Sequence, residues 1–595
     1  MERIAPLMVM ALAAALRLGH FAGSGHNPLL HYHTLDEGYY LGLARAVVSG
    51  YLLGEPRVFF MDPLYGYLLA GLFALFGDDL LAVRLFQIAL DTASVGFIYS
   101  LGARLAGPMA GLAGACLYAI HGPAIFYTLL ALKTTATVFT ALLFTRVALW
   151  AGAREGAWPW AAAGVLGGFA MLLSANMLLF APLGWLAYLH AERPALRRAL
   201  IAAAGAAAGL ALVTGISAAR NYYVSGQPAP LNTQSGRLLY ASNNPENLTG
   251  RYNVPSFSRR TPVDSETDFH AEAERRLGRK LSPMEASAYW RNETAAFLMS
   301  DPGAAATLLW RKVLGTAGNY ELPDNYSVSQ GLAFSAVGRA PLPGFWLALA
   351  LGAPGLVIGI WRNRRAAYLL IPVLTVMATV IIFYTSSRFR MPMVPLLCVG
   401  AGIFAAAAVD WLRARNWRPL PAWGAAALAL AAVSLSAPAP PYSADEDYQL
   451  GMAYWTVGAF TQARSVADKG ARDYPGDERF AVITGLAAMA ESKWDEAHAR
   501  FEALARRDPG NADAWHNLGL AALALGKTRE AIAPLERAWR LNPRPRTLLA
   551  LGRAHEQAGD ASRAGEYYRR YLEMAGPGAP RANEAREGLE RVGTK

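Results

Sequence analysis

Two neighbouring carboxylates, Asp36 and Glu37, stand in the run His31-Tyr32-His33-Thr34-Leu35-Asp36-Glu37-Gly38-Tyr39-Tyr40, soon after the first apolar segment of the 595-residue chain. A carboxylate just outside a membrane span can act as general base, accepting the proton of an acceptor hydroxyl within hydrogen-bond reach. The same pair suits the first turn of a helix, where Asp and Glu are favoured by capping and by the helix dipole. Residue types alone leave both readings open. His31 and His33 join the two carboxylates to offer four ligands within seven residues. Imidazole and carboxylate suit zinc or manganese, so a divalent cation is a candidate cofactor, although ordinary loop histidines explain the pattern more simply. Arg84, Gln87 and Asp91 fall on one helical stripe inside an apolar run. Ionisable groups at membrane depth face protein or a water cavity. A pair holding helices together fits them better than a transport path, because the other apolar runs are nearly free of acids.

These residues need a membrane framework to position them. The chain is 54% hydrophobic and 17% charged, with a net charge of +11 and a mean hydropathy of +0.21. That composition disfavours a disordered chain, a disulfide scaffold or a nucleic-acid-binding protein. Its two cysteines, Cys116 and Cys398, sit in apolar runs and read as small core residues. About 20 apolar residues cross a bilayer as helix. Eleven spans are expected, at 4–21, 80–103, 108–126, 130–150, 158–173, 177–189, 199–219, 343–361, 366–384, 392–412 and 421–435. The apolar stretch 63–76 is short and reads as re-entrant or interfacial. With the N-terminus in the cytoplasm, Arg104, Arg154, Arg193, Arg197, Arg198, Arg362, Arg364, Arg365, Arg413, Arg415 and Arg418 fall in cytoplasmic turns, as the positive-inside rule requires. Arg3 and these eleven, against Glu2, Glu155 and Glu192, supply +9 of the +11. The excess positive charge is therefore mainly a topology signal. Loops 23–79 and 220–342 and everything after 436 are then extracytoplasmic. Cleavage of the first span as a signal peptide would leave this arrangement unchanged.

The stretch 437–443 is Pro-rich and reads as a stiff linker after a membrane domain at 1–436. Beyond it Leu450-Gly451, Thr484-Gly485, Leu518-Gly519 and Leu551-Gly552 recur with a period of about 34, and Trp515, Ala531, Ala538 and Pro543 fit tetratricopeptide positions. About four repeats and a capping helix at 581–592 are expected over 444–595. The fold class is all-α: a polytopic helical bundle followed by an α-solenoid.

Several motifs then point to a family. Asp36-Glu37 with Tyr40-x-x-x-Ala44, Asp62-Pro63-Leu64-Tyr65, Leu132-Lys133-Thr134 and Ser174-Ala175-Asn176 come first. Ala219-Arg220-Asn221-Tyr222, Gly236-x-x-x-Tyr240-x-x-Asn243-Asn244-Pro245, Leu281-Ser282-Pro283-x-Glu285 with Tyr289-Trp290, and Ser387-Arg388-Phe389-Arg390-Met391-Pro392 follow. In this order and topology the chain resembles the GT-C superfamily of polytopic glycosyltransferases, in the branch of protein mannosyltransferases and aminoarabinose transferases. The family pattern usually has a basic residue before the asparagine of the middle span, and Ser174-Ala175-Asn176 lacks it.

The resemblance implies a polyprenyl-phosphate sugar as donor, transfer on the outer face of the inner membrane, and an acidic residue of the first loop as base. Carried over, that base is Asp36, with Glu37 assisting. Expelling a lipid phosphate develops negative charge that fixed cations must stabilise, and arginine's planar fork suits phosphate oxygens. Arg388, Arg390, Lys133 and Arg220 are the candidates for that role, with snorkelling to lipid headgroups as the alternative. Tyr40, Asp62, Tyr65, Asn243 and Glu321 are candidate substrate contacts. The acceptor is a protein or a glycan, and the repeats supply a concave surface for an acceptor or partner protein. An oligosaccharide ligase or polymerase, or a non-catalytic scaffold, remains an alternative.

Overall fold

The computed structural model describes residues 4–33, 35–227, 229, 232–259, 262–437, 444–575 and 581–593. Among them there is helix and no strand, only an isolated bridge between Asn244 and Asn247. The chain divides into two compact units, Met1–Tyr442 and Ser443–Lys595. Of the Pro-rich linker, 438–443 lie outside the described residues.

The first unit belongs in a membrane. Eight of its helices are long and apolar enough to cross one: Ala5–Gly23, Leu80–Ala106, Thr134–Gly152, Leu196–Ser225, Phe345–Arg362, Arg364–Ile382, Ser387–Arg413 and Pro419–Ser436. The other three expected spans are shorter elements, so the count of eleven is not reproduced by helix length. The run at 108–126 breaks into Pro108–Ala119 and Gly122–Tyr127, and 158–173 is a single helix of 16 residues. The run at 177–189 becomes a 3-10 turn, Ala175–Leu179, leading into Phe180–Glu192. The helix Leu64–Phe76 has 13 residues. At 1.5 Å per residue it is about 20 Å long, short of a hydrocarbon core of about 30 Å.

Small residues let these helices touch backbone to backbone, the packing used where no hydrophobic force drives helices together in lipid. A Cβ at Gly164 would lie 2.1 Å from the Ala206 carbonyl oxygen, and one at Gly209 would lie 2.1 Å from that of Ala161. That contact seats the short helix Trp158–Leu173 along Leu196–Ser225. A Cβ at Gly402 would lie 1.9 Å from the Ala110 carbonyl oxygen. The polar stripe is a structural lock: Arg17 Nε donates to Asp91 Oδ2 at 2.6 Å, and Tyr118 donates to Oδ1 at 2.6 Å. Arg84 donates to the Leu30 carbonyl at 2.8 Å and Gln87 to that of Leu130 at 2.6 Å. Together they fix the loops that flank the site.

The 220–342 loop folds on its own core. Helices Ser235–Ser242, Pro262–Leu277 and Pro283–Ser300 surround Trp290, whose indole nitrogen donates to the Phe269 carbonyl at 2.9 Å and whose ring stacks on Phe257. Ser282 and Glu285 form a capping box that starts the third helix. Trp290 is thus core, and Tyr289 packs edge-on against it.

In the second unit the helices pair as Asp445–Thr456 with Phe460–Asp473, Arg479–Ala490 with Trp494–Arg507, Ala512–Ala524 with Thr528–Leu541, and Pro545–Gln557 with Ala561–Ala575. Helix Ala582–Arg591 closes the stack. The recurring glycines stand where paired helices cross: a Cβ at Gly485 would meet Phe501 at 2.8 Å, one at Gly519 Leu535 at 2.5 Å, and one at Gly552 Tyr568 at 2.5 Å.

Candidate active site

The first loop builds the site from its helix Leu35–Val48, whose opening turn carries Asp36 and Glu37. The two carboxylates point to different partners. Glu37 is buried: one oxygen accepts the Ala131 backbone N–H at 2.6 Å, and the other accepts the Tyr326 hydroxyl and lies 3.3 Å from His33 Nδ1. It ties this helix to the 129–134 turn and to the 320–327 segment. Asp36 instead faces Arg388. Nη1 of Arg388 donates to Asp36 Oδ2 at 2.7 Å, while Nη2 lies 2.6 Å from Asp324 Oδ2. One buried guanidinium thus bridges two carboxylates that stand 288 residues apart (324 − 36).

Arg388 and Arg390 belong to the short helix Ser387–Arg390, opened by Ser386 accepting the Phe389 N–H at 3.3 Å. Their roles separate. Arg390 is spent on architecture: it donates to the Gly318 carbonyl at 2.5 Å and to Glu321 Oε1 at 2.6 Å, and stacks over Phe345 at 4.2 Å. Arg388 keeps Nε buried with no hydrogen-bond partner, as does the hydroxyl of Tyr40 nearby. Burial pushes the Tyr40 hydroxyl well above its ordinary value, helped by the charges of Asp62 and Asp36. Burial likewise raises the Asp324 carboxyl, against the pull of Arg388.

Lys133 lies within electrostatic reach of Asp324 but is paired with Asp62, whose other oxygen accepts Asn232 Nδ2 at 2.6 Å. Tyr65 packs edge-on against Tyr40 at 5.2 Å and reaches Gln87 at 3.4 Å. Arg220 stands apart. It donates to the carbonyls of Leu53, Glu55 and Arg57 and covers the Phe59 ring at 3.7 Å, clamping the 53–59 turn. Asn243 holds Lys312, accepting its Nζ at 2.6 Å, and donates to the Ile382 carbonyl at 3.0 Å. It is a bracket for the loop rather than a member of the Asp36 cluster. His31 and His33 do not assemble a cation site with their neighbours: no group of three or more His, Cys, Asp or Glu side chains converges among the described residues. Burial and the Arg84 charge lower the His31 ring's proton affinity.

Asp324 is the member that sequence reasoning missed. Its signal was its place three residues after Glu321 in the acidic, aromatic run Tyr320-Glu321-Leu322-Pro323-Asp324-Asn325-Tyr326. A loop acid so far from Asp36 gains meaning only through Arg388.

Residues 56–217, which hold Asp62 and Lys133, match the family model of dolichyl-phosphate-mannose-protein mannosyltransferases. Residues 484–543 and 516–580 match tetratricopeptide repeats. No curated protein matches the chain. Among solved structures, one of MamA AMB-1 is 23% identical, covering 28% of this chain and 87% of that chain at a TM-score of 0.20. A second of MamA AMB-1 is 27% identical over 22% and 82% at 0.20. MamA from Desulfovibrio magneticus RS-1 is 21% identical over 28% and 90% at 0.21. At such scores these likenesses carry no argument. The chain therefore joins a membrane glycosyltransferase region of the GT-C mannosyltransferase type to a tetratricopeptide repeat domain.

Proposed function

We propose that the protein transfers a sugar from a polyprenyl-phosphate carrier to an extracytoplasmic acceptor, with Asp36 as general base, and that it does so at the outer face of the inner membrane. The observation that carries this reading is the Asp36–Arg388–Asp324 bridge, with Arg388 Nε left unpartnered in a buried site. A base must reach the acceptor hydroxyl while a cation meets the departing phosphate. Asp36 and Arg388 put both functions 2.7 Å apart.

Charge sets the order of events. Asp36, Glu37, Asp62, Glu321 and Asp324 give five carboxyl groups against the four cations Lys133, Arg388, Arg390 and Arg84, the last within electrostatic reach of Glu37. A lipid phosphate adds negative charge to a site already short of positive charge, so it must compete for Arg388. Asp324, the second carboxylate on that guanidinium at 2.6 Å, is the partner that the phosphate must displace. Asp36 then accepts the proton of the acceptor hydroxyl as the new glycosidic bond forms and the sugar–phosphate bond breaks. Lys133, held by Asp62, and Arg390, held by Glu321, position the neighbouring segments. The repeats dock an acceptor or partner protein.

Transfer from synthetic polyprenyl-phosphate sugars by the purified protein tests the reading. Asp36→Asn should lower turnover by about 10²–10⁴-fold, the usual worth of a general base, with little change in the unfolding midpoint. Asp324→Asn should tighten donor binding by about tenfold, or ~1.4 kcal/mol, because a competitor for Arg388 is gone. Full turnover in a folded Asp36→Asn protein removes Asp36 as the base, and no turnover by the wild-type protein with any donor favours the scaffold.

A further inference from the structure

Two arginines meet at the end of the membrane unit remote from Asp36, with no acid between them. The helices Leu80–Ala106 and Thr134–Gly152 pack against each other. They run in the same direction, since Arg84 and Gln87 near the start of the first donate to the Leu129 and Leu130 carbonyls just ahead of the second. Further along, the rings of Phe97 and Phe139 meet edge to face at 5.6 Å. Seven residues later on each helix come Arg104 and Arg146. Seven residues carry an α-helix through almost two full turns and about 10 Å along its axis, so both arginines return to the same seam. The charge of Arg104 accordingly reaches Arg146.

Like charges repel, and a cation within a span ordinarily pairs with an acid or a carbonyl. Among the described residues, neither Arg104 nor Arg146 makes a hydrogen bond or an ion pair. The acids at the same ends of the bundle are already taken: Glu155 pairs with Arg198, Glu192 with Arg365 and Asp410 with Arg362. The protein therefore brings two positive charges to this seam and no negative one.

Position selects what supplies the anion. Arg146 lies six residues, about 9 Å, before the end of its helix, deeper than a hydrated soluble anion sits. Arg104 is exposed and Arg146 partly so, as are Phe97 and Phe139 above them, so the seam opens on the surrounding lipid. A lipid phosphate can bridge the two guanidiniums, whose planar forks suit its oxygens, while the acyl chains run along the two phenylalanines. A zwitterionic headgroup would add an ammonium to a pair that already repels. We propose that Arg104 and Arg146 bind the phosphate of an anionic phospholipid in the leaflet opposite the Asp36 site. This site stands independently of the glycosyltransferase reading.

Native mass spectrometry of the full-length protein, titrated in detergent with phosphatidylglycerol or phosphatidylethanolamine of identical acyl chains, tests it. The wild type should bind phosphatidylglycerol more tightly by about fivefold or more, the worth of one arginine at an anionic surface. Arg104→Gln and Arg146→Gln should each abolish that preference, and the double variant should lose no more than either alone, because both hold one phosphate. Arg418→Gln, which removes an exposed charge from the same side of the membrane, should keep it. Phosphatidylglycerol should also raise the unfolding midpoint of the wild type and not that of Arg104→Gln. Should Arg146→Gln fail to fold, Arg104→Gln decides alone. Equal affinity for the two lipids, losses that add in the double variant, or the same loss in Arg418→Gln overturns the proposal. Displacement of the lipid by inorganic phosphate also overturns it and points to a soluble anion.

Discussion

Asp36 and Glu37 are adjacent and chemically alike, yet the fold gives them unrelated work. Glu37 is enclosed by a backbone N–H and a tyrosine hydroxyl, whereas Asp36 meets a cation with one nitrogen to spare. Residue types and spacing mark the pair but do not divide it, and only the family resemblance assigned the base to Asp36, because the partners come from turns about 94 and 352 residues away. Lys312 shows the same limit. It lies in the helix Pro302–Ala317 and points its amine at Asn243 Oδ1 and the Ile381 carbonyl, and burial lowers its pKa to about 7. Unfolded, it regains an ordinary lysine value near 10.5. Between those values the unfolded chain binds the extra proton, so stability rises with pH, and it falls as pH drops through that window. The unfolding free energy in detergent should rise from pH 7 to pH 10, by at most ~1.4 kcal/mol per pH unit, relative to Lys312→Met. Parallel pH profiles for the two proteins would contradict this.

At the scale of elements, helices were easy to see and their ends were not. Apolar runs at 80–103, 199–219 and 343–361 became Leu80–Ala106, Leu196–Ser225 and Phe345–Arg362. The run at 108–126 contains no charge to interrupt it, but His121-Gly122-Pro123 splits it, since proline cannot donate to the preceding turn. The glycines had a meaning that hydropathy cannot express. Gly402 packs against the Ala110 carbonyl so closely that any side chain would separate the helices Pro108–Ala119 and Val394–Arg413. Gly402→Val should destabilise the membrane unit by about 1–3 kcal/mol, the usual cost of overpacking, and lower the unfolding midpoint. Because Val394–Arg413 continues directly from the Arg388 turn, donor turnover should fall with it. An unchanged midpoint would mean that the helices part without cost.

At the scale of the whole molecule, the chain is two separately packed units, and charge and hydropathy divide the same way. Of 55 basic and 44 acidic residues, 22 of each lie from Ala444 onward, so the repeats are charge-neutral and the membrane part holds the excess of +11. Gly485, Gly519 and Gly552 each pack on the second helix of their own repeat and Gly451 on the next repeat, which makes the second unit a stack of local contacts. If it docks acceptor or partner, deletion of 444–595 should impair acceptor use more than donor binding. Initial rates at varied acceptor and donor concentrations would measure the two effects, and equal losses in both would count against docking.

What the sequence determined by itself was everything carried by period and composition: membrane helices from apolar length, repeats from glycine and proline spacing, and the early acidic pair from its motif. Such signals run along the chain itself, over about 20 residues for a span and about 34 for a repeat. The tertiary structure alone decided which charges meet. Asp324 joins Asp36 through Arg388, Lys133 goes to Asp62, Arg390 to Glu321, and Arg104 comes within reach of Arg146. Ion pairs form by distance and burial, and neither is a property of spacing along the chain.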